Sequence, residues 1–206
     1  KMGFFHEYTR DSLDFDTDEE LYEHISRELI MGANEMTEDQ LQIDLLSGAG
    51  VVRFGGEATA DDEVTGEGAA KSVISYEDLM RMSIDLDNNR TPKQTKMITG
   101  TRMIDTKTVN GGRVMYTGSE LIPTVRKMTD ISGSGVGSGF ISVEKYADAA
   151  NTLHGEIGSV DQFRIVVVPE MQHDRKGGAA SASADGTGKN GADIFPMLVV
   201  GDGAFT

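Results

Sequence analysis

The sequence predicts a mixed fold in which helices pack against a central β-sheet. The first observation is the apolar, β-branched run Phe163–Val168, which follows the turn residues Gly155 and Gly158 and ends at Pro169. Because its last four residues do not alternate with polar ones, we expect a buried central strand that is covered on both faces. The other observations are two amphipathic, capped helical patterns in the first ninety residues, described below.

Composition limits the function classes that need to be considered. The chain has 206 residues, 38% of them apolar, which is enough for one large domain or two small ones with a real core. It has no Cys, which excludes a disulfide framework and a thiolate metal site. No signal-like segment or 18-residue apolar segment suggests secretion or membrane insertion, so we expect a soluble product made inside a cell.

The net charge of -15 is unevenly distributed. The first 100 residues hold 22 acidic and 9 basic residues, whereas the other 106 hold 12 and 10. A surface that grips phosphates needs clustered Lys and Arg, so this balance argues against nucleic-acid binding. It suits a protein that must not adhere to nucleic acid, although solubility alone would also explain it.

The first elements are a short strand and a long helix. Met2–Tyr8 is aromatic enough for a strand, and Thr17 with Glu20 forms a capping box at the start of a helix. Helical spacing then continues through apolar residues at Leu21, Ile25, Leu29, Ala33 and Met36. Thr37 with Gln40 could cap a second helix ending at Gly48, so two stacked helices and one continuous rod both remain open.

The middle of the chain alternates short strands with helices. We expect a strand at Val51–Phe54, a mobile loop at 55–71, and a helix capped by Ser75 and Asp78 that ends at Asn88 or Asn89. We also expect strands at 97–103, 108–109 and 113–116, with a hairpin turn at 110–112. A helix should run from Ser119 to Met128 and tolerate Pro123 in its first turn. A flexible connector at 133–139 and a short helix at 143–152 should follow.

A long loop and a second apolar strand follow the central strand. Residues 174–193 contain five glycines and no large apolar side chain, which predicts an exposed tip. Ile194–Val200 is apolar and is expected to form a second buried strand, which is able to pair with the central strand across this loop.

Searches for catalytic and ligand-binding patterns fail. Two sets of alternating acidic residues, at 14–18 and 85–89, resemble calcium loops but lack the required Gly and Glu positions. The glycine-rich segments match neither the dinucleotide fingerprint nor the phosphate loop, and the four His have no ligand spacing. We therefore expect no catalytic residue, cofactor or metal.

One pair of charged residues is more informative. Glu156 lies beside His154, and two such turn residues more often form a hydrogen-bonding corner than an acid-base pair. Glu156 and Arg164 could form an ion pair at a subunit boundary. Together with Gly178 and Lys189, in the predicted loop, they are the candidate subunit-interface residues.

Several short motifs occur together with this order of elements. The strongest are Gly-Glu-Ile-Gly at 155–158 followed by Phe163-Arg164, and the segment 193–205. Weaker ones are Ile-Thr-Gly-Thr at 98–101 and Tyr-Glu-Asp-Leu at 76–79. The motifs and the order of elements resemble those of the major capsid proteins of tailed bacteriophages, of the type found in phage N4, and the similarity extends over nearly the whole chain.

This resemblance implies an α+β HK97-like capsid fold with a peripheral domain, which carries a spine helix, and an axial domain around a central β-sheet. Residues 1–74 would be part of the peripheral domain, with the spine helix at about 17–46, and residues 75–206 mostly the axial domain. The family's upstream arm and extended loop, and the region after Thr206, would be absent. The chain also begins with Lys1, so we expect an excerpt of a longer protein.

The function that the resemblance implies is mechanical. Such subunits self-assemble into hexamers and pentamers of an icosahedral shell that encloses double-stranded DNA without sequence-specific binding. The expected location is the virion, assembled in the host cytoplasm without a membrane, and portal, scaffold and decoration proteins are candidate further partners. The alternatives are an encapsulin-like nanocompartment shell and, with less support, an unrecognised enzyme or ligand-binding domain.

Overall fold

A computed structural model of the chain describes residues 19–66, 72–93, 96–98, 106–108, 112–129, 139–145, 152–179 and 191–202. The chain divides between Ala49 and Gly50 into two compact units. The first contains a single described helix, and the second contains the sheets and the other helices. The prediction of a mixed helix and sheet protein, an α+β fold, is confirmed.

The first unit is built on α1, one continuous helix from Glu19 to Ser47. The Thr37 hydroxyl donates to the Ala33 carbonyl at 2.8 Å, within the helix, so Thr37 does not cap a second helix. The helix ends as expected at Gly48, whose N–H donates to the Asp44 carbonyl at 2.9 Å. The rod alternative is therefore the correct one, with a length of about 43 Å. The predicted strand 2–8 and the predicted cap Thr17 lie outside the described residues.

Helix α2, Tyr76–Asn88, confirms the second capping prediction. The Ser75 side chain accepts from the Asp78 N–H, and the Asp78 carboxylate accepts from the Ser75 N–H at 2.9 Å. Both bonds satisfy donors that a helix start otherwise leaves without a partner. The helix buries Leu79 and Leu86 on its inner face.

Two short strands, β1 (Lys96–Ile98) and β2 (Thr106–Thr108), pair with each other in an antiparallel sheet. The next strand, β3 (Arg113–Thr117), belongs to a different sheet. The predicted hairpin between 108–109 and 113–116 is therefore wrong. Asn-Gly-Gly at 110–112 is a strong hairpin signal only if the flanking strands have no better partner, and β3 pairs with more distant strands.

The main sheet has five strands in the order β4-β5-β6-β3-β7. The strands are β4 (Phe140–Ser142), β5 (Glu156–Val160), β6 (Phe163–Val167), β3 and β7 (Met197–Val200). A tight turn at Asp161 joins β5 to β6, which are antiparallel, whereas β3 and β6 run parallel. The expectation that the last strand pairs with the central strand is wrong, because β3 lies between β6 and β7.

Both faces of β6 are covered, as predicted. Phe163 and Ile165 are fully buried in a cluster with α2 residues, and Val166 lies on the other face with Val114 and Leu153. The prediction that all four last residues of the apolar run are buried in the strand was wrong for its last two residues. Val167 is half-buried, and half-buried Val168 lies beyond the strand.

The other segments that the structure describes are mostly irregular. Val51–Phe54 forms no strand, which contradicts the prediction, although Val51 packs against the main core cluster. The expected helix at Ser119 begins as a 3-10 turn, Ser119–Leu121, and continues as the short helix α3, Ile122–Arg126, with Pro123 in its first turn. Residues 143–145 form a 3-10 turn, and the rest of the helix predicted at 143–152 lies almost entirely outside the described residues.

Candidate subunit-interface site

A β-bulge in β5 determines where the Glu156 side chain points. Gly158 lies opposite Ile165, whereas Glu156 lies opposite Val166, so the register shifts between Glu156 and Gly158. Opposed residues of paired strands share a face, and a bulge inserts one residue and redirects the side chains beyond it. The bulge thus brings Glu156 to the face that carries Val166 and, two residues earlier, Arg164.

Glu156 and Arg164 form a two-pronged ion pair within one chain. Arg164 Nε donates to Glu156 Oε1 at 2.7 Å, and Arg164 Nη2 donates to Glu156 Oε2 at 2.6 Å. The Glu156 side chain is 0% exposed and that of Arg164 is 16% exposed. Parallel bonds of this length are charge-assisted and geometrically specific. The predicted ion pair is confirmed, while its place at a subunit boundary stays a prediction.

The same carboxylate closes the turn that precedes β5. Glu156 Oε2 accepts from the Leu153 N–H at 2.9 Å, and Gly155 adopts a φ of +76°, which favours glycine. His154 is exposed. The interpretation of this motif as a hydrogen-bonding corner is therefore confirmed.

Gly178 lies at the base of the long loop, where the two ends of the loop pair. Its N–H donates to the Ala192 carbonyl at 2.9 Å, and the next N–H, of Ala179, donates to the Val64 carbonyl at 2.8 Å. A side chain on Gly178 would collide with the Val64 oxygen. The base of the loop is thus held by backbone bonds, while Lys189 lies outside the described residues.

A second ion pair, between buried Arg113 and half-exposed Asp87, was not predicted from the sequence. Arg113, at the start of β3, is 2% exposed, and its Nη2 donates to Asp87 Oδ1 at 2.6 Å and to the Thr91 carbonyl at 3.3 Å. The hydrogen bond from Arg113 lowers the pKa of the Asp87 carboxyl below its usual value. This pair connects the end of α2 to the main sheet.

The signal for this pair was present in the rejected calcium-like pattern at 85–89. Asp85 accepts from Arg53 Nη2 at 2.6 Å, so each of the two aspartates has its own arginine. Alternating carboxylates at the end of a helix can form ion pairs with arginines as well as bind a metal ion. Sequence spacing alone could not identify those arginines, since they lie 32 and 26 residues away.

The described residues hold no group of three or more His, Asp or Glu arranged to bind a metal ion. Within the same part of the chain, no helix is both long and apolar enough to cross a membrane. The buried charges described above instead connect α2 to the sheet and β5 to β6. These contacts join elements of the second unit to one another.

Comparison with known proteins shows a similarity to a phage capsid protein. The chain is 56% identical, over 209 aligned positions, to the major capsid protein of Pseudomonas phage KPP21. The alignment covers 100% of the chain and 51% of the phage protein, so the chain spans about half the length of this relative. No protein-family model matches the chain. The resemblance to phage major capsid proteins that the sequence indicated is confirmed.

Proposed function

We propose that this chain is part of a phage major capsid protein, a structural subunit that self-assembles into the hexamers and pentamers of an icosahedral shell enclosing double-stranded DNA. The observation that carries the proposal is the 56% identity to a phage major capsid protein across the whole chain. Rings form when copies make heterologous contacts that close, and a shell forms when the rings are joined with curvature. The role is mechanical and needs no catalytic residue.

The charge distribution supports a shell subunit that does not adhere to DNA. Helix α1 alone contains eight acidic residues and one basic residue, Arg27. DNA phosphates are repelled by such a surface and attracted by clustered Lys and Arg. The acidic surface would therefore limit adhesion of the subunit to the enclosed DNA.

The finer proposal is an HK97-like fold of the N4 type. The 29-residue helix α1 would be the spine helix of the peripheral domain, and the five-stranded sheet would be the centre of the axial domain. Residues 1–74 and 75–206 would then belong mainly to the two domains respectively. The length of α1 and the mixed sheet support this assignment.

The candidate interface residues remain part of the proposal. Arg164 keeps 16% of its side chain exposed while bonded to Glu156, so its outer edge can meet a neighbouring subunit. Gly178 lies at the paired base of the loop, and Lys189, which lies outside the described residues, is the fourth candidate. Portal, scaffold and decoration proteins are proposed as further partners, and the location is the virion, assembled in the host cytoplasm.

The test is to express the complete reading frame that encodes this chain and to examine the purified product by negative-stain electron microscopy. Closed, regular particles are expected. Nuclease-protected DNA in particles from infected cells would separate a phage shell from a nanocompartment, whose cargo is protein. Discrete small oligomers at all concentrations, or particles that contain only an enzyme, would contradict the proposal.

A further inference from the structure

The base of the 174–193 loop is hydrogen-bonded to a segment from the first third of the chain. The Ala179 N–H donates to the Val64 carbonyl at 2.8 Å, and the Ala179 carbonyl accepts from the Ala192 N–H at 3.2 Å. Ala179 is therefore bonded both to the returning side of its own loop and to the distant segment around Val64.

These pieces of chain approach too closely for side chains between them. A Cβ added to Gly178 would collide with the Val64 oxygen and lie 3.0 Å from the Ala192 oxygen. Both oxygens belong to the backbone, so they cannot rotate away as the end of a flexible side chain can. The contact between the loop base and the Val64 segment thus depends on glycine at position 178.

Residues 59–65, which we call the brace, are held by hydrogen bonds at both ends. Before Val64, the Glu63 carboxylate accepts from the Thr59 N–H at 2.8 Å and from the Thr59 hydroxyl at 2.7 Å. After it, the Thr65 N–H donates to the Ser72 hydroxyl at 3.1 Å, and the Ser72 N–H donates to the Thr65 carbonyl at 2.9 Å. The Val64 carbonyl is thus presented by an anchored segment.

The anchor of the brace leads into the core of the second unit. Ser72 lies two residues before Ile74, which packs against the main core cluster. Gly55 lies against the same stretch, because a Cβ added to it would be 2.9 Å from the Ile74 nitrogen. Contacts therefore run without a break from the core through Ser72 and the brace to the loop base. Such a contiguous network can carry energetic coupling between distant positions.

We propose that the brace positions the 174–193 loop for contact with a neighbouring subunit of the shell. The loop contains no large apolar side chain that could fix it against the core, so hydrogen bonds at its base determine its orientation. Val64 and Thr65 act through the loop base as positioning residues and need not touch the neighbour. The inference rests on the proposed function, in which this loop carries the candidate interface residues Gly178 and Lys189.

Hydrogen exchange of the 206-residue chain, followed by NMR at single amides, tests the coupling. Ser72→Ala removes a hydroxyl that anchors the brace, and Gly66→Ala is the matched control, because its added carbon meets open space. We expect Ser72→Ala to speed exchange of the Ala179 amide about fivefold or more. Exchange of the Ile194 amide, whose bond lies within the loop base itself, should change less than about twofold. Gly66→Ala should leave both amides unchanged.

Particle formation by the complete protein tests the consequence for the shell. Ser72→Ala and Gly178→Ala, which separates the loop base from the Val64 oxygen, are expected to lower the yield of closed particles severalfold in negative-stain electron microscopy. Gly66→Ala should assemble like the wild type. Circular dichroism melting establishes that each variant is folded.

The outcomes separate this inference from the proposed function. Unchanged exchange at Ala179 in Ser72→Ala would reject the coupling, and equal acceleration at Ala179 and Ile194 would show general loosening of the fold and reject it too. Faster exchange at Ala179 with an unchanged particle yield would overturn the positioning role while self-assembly stands. Absence of particles from the wild type would overturn the proposed function.

A variant that does not fold leaves the inference open to refutation. If Ser72→Ala fails to fold, Gly178→Ala is judged by the same two amides. If both fail, the wild type decides, because an Ala179 amide that exchanges as fast as that of an unstructured peptide would show that the bond to Val64 does not hold the loop base.

Discussion

Replacing Arg164 by Met should destabilise the protein strongly, because it leaves a buried carboxylate without its counter-ion. Glu156 is 0% exposed at its side chain and receives two bonds from the guanidinium, at 2.6 and 2.7 Å. After the replacement, the Leu153 N–H still donates to Glu156 Oε2 at 2.9 Å. Breaking a buried pair by removing one partner costs about 3–5 kcal/mol. That is a large part of the roughly 5–15 kcal/mol by which a domain is stable.

The assay is urea unfolding at pH 7, followed by far-ultraviolet circular dichroism, with the free energy of unfolding as the readout. Arg81→Met is the matched control, since Arg81 pairs with Glu77 on the surface of α2 with side-chain exposures of 58% and 61%. An exposed pair of this kind contributes about 0.3–0.5 kcal/mol. The double variant Glu156→Gln, Arg164→Met should recover part of the loss, because no charge is then left buried.

A loss below about 1 kcal/mol for Arg164→Met, similar to that of an exposed pair, would refute this reasoning. It would mean that water reaches Glu156 and that the ion pair does not stabilise the turn between Leu153 and β5. A double variant that is no more stable than Arg164→Met would likewise show that the buried charge is not the cause.

Three further predictions follow from local features. Asp87→Asn should lower the stability of the protein at neutral pH and make that stability depend less on acid below about pH 3.8. Arg113 lowers the folded-state pKa of Asp87, so the contribution of the pair to stability is present above the unfolded-state pKa and is lost as the pH falls through the folded-state pKa. Urea midpoints between about pH 6 and 2 test this. Ser75→Ala should cost about 1 kcal/mol by removing the cap of α2, and an unchanged urea midpoint would contradict the capping box. Gly155→Ala should cost about 1–2 kcal/mol in thermal melts because of its φ of +76°, whereas Gly50→Ala, whose added carbon meets open space, should not.

Elements that depend on neighbours in sequence could be predicted. The capping box of α2 was identified because Ser75 and Asp78 are three residues apart, and the end of α1 at Gly48 follows from the same local chemistry. The central strand was identified because its run of apolar residues is short and β-branched. The failures begin where a choice depends on competition between distant segments, as when β3 pairs with β6 and β7 and does not form a hairpin with β2.

In the candidate site, too, some features were predictable from the sequence and others were not. The sequence indicated that Glu156 and Arg164 form an ion pair, since both lie near one turn. It could not show that a bulge directs Glu156 to the face of Arg164 and removes its side chain from water. It could not identify Arg113 as the partner of Asp87, because the two residues meet only where α2 packs on the sheet.

The amino-acid sequence by itself determined the start and end of α2, the end of α1, the position of the central strand β6 and the resemblance to phage capsid proteins. Helix caps, apolar periods and turn residues act over a few positions, so their effect can be read along the chain. The tertiary structure decided the order of the strands and which charges are buried. These depend on contacts between residues far apart in sequence, where burial and pairing compete across the entire domain.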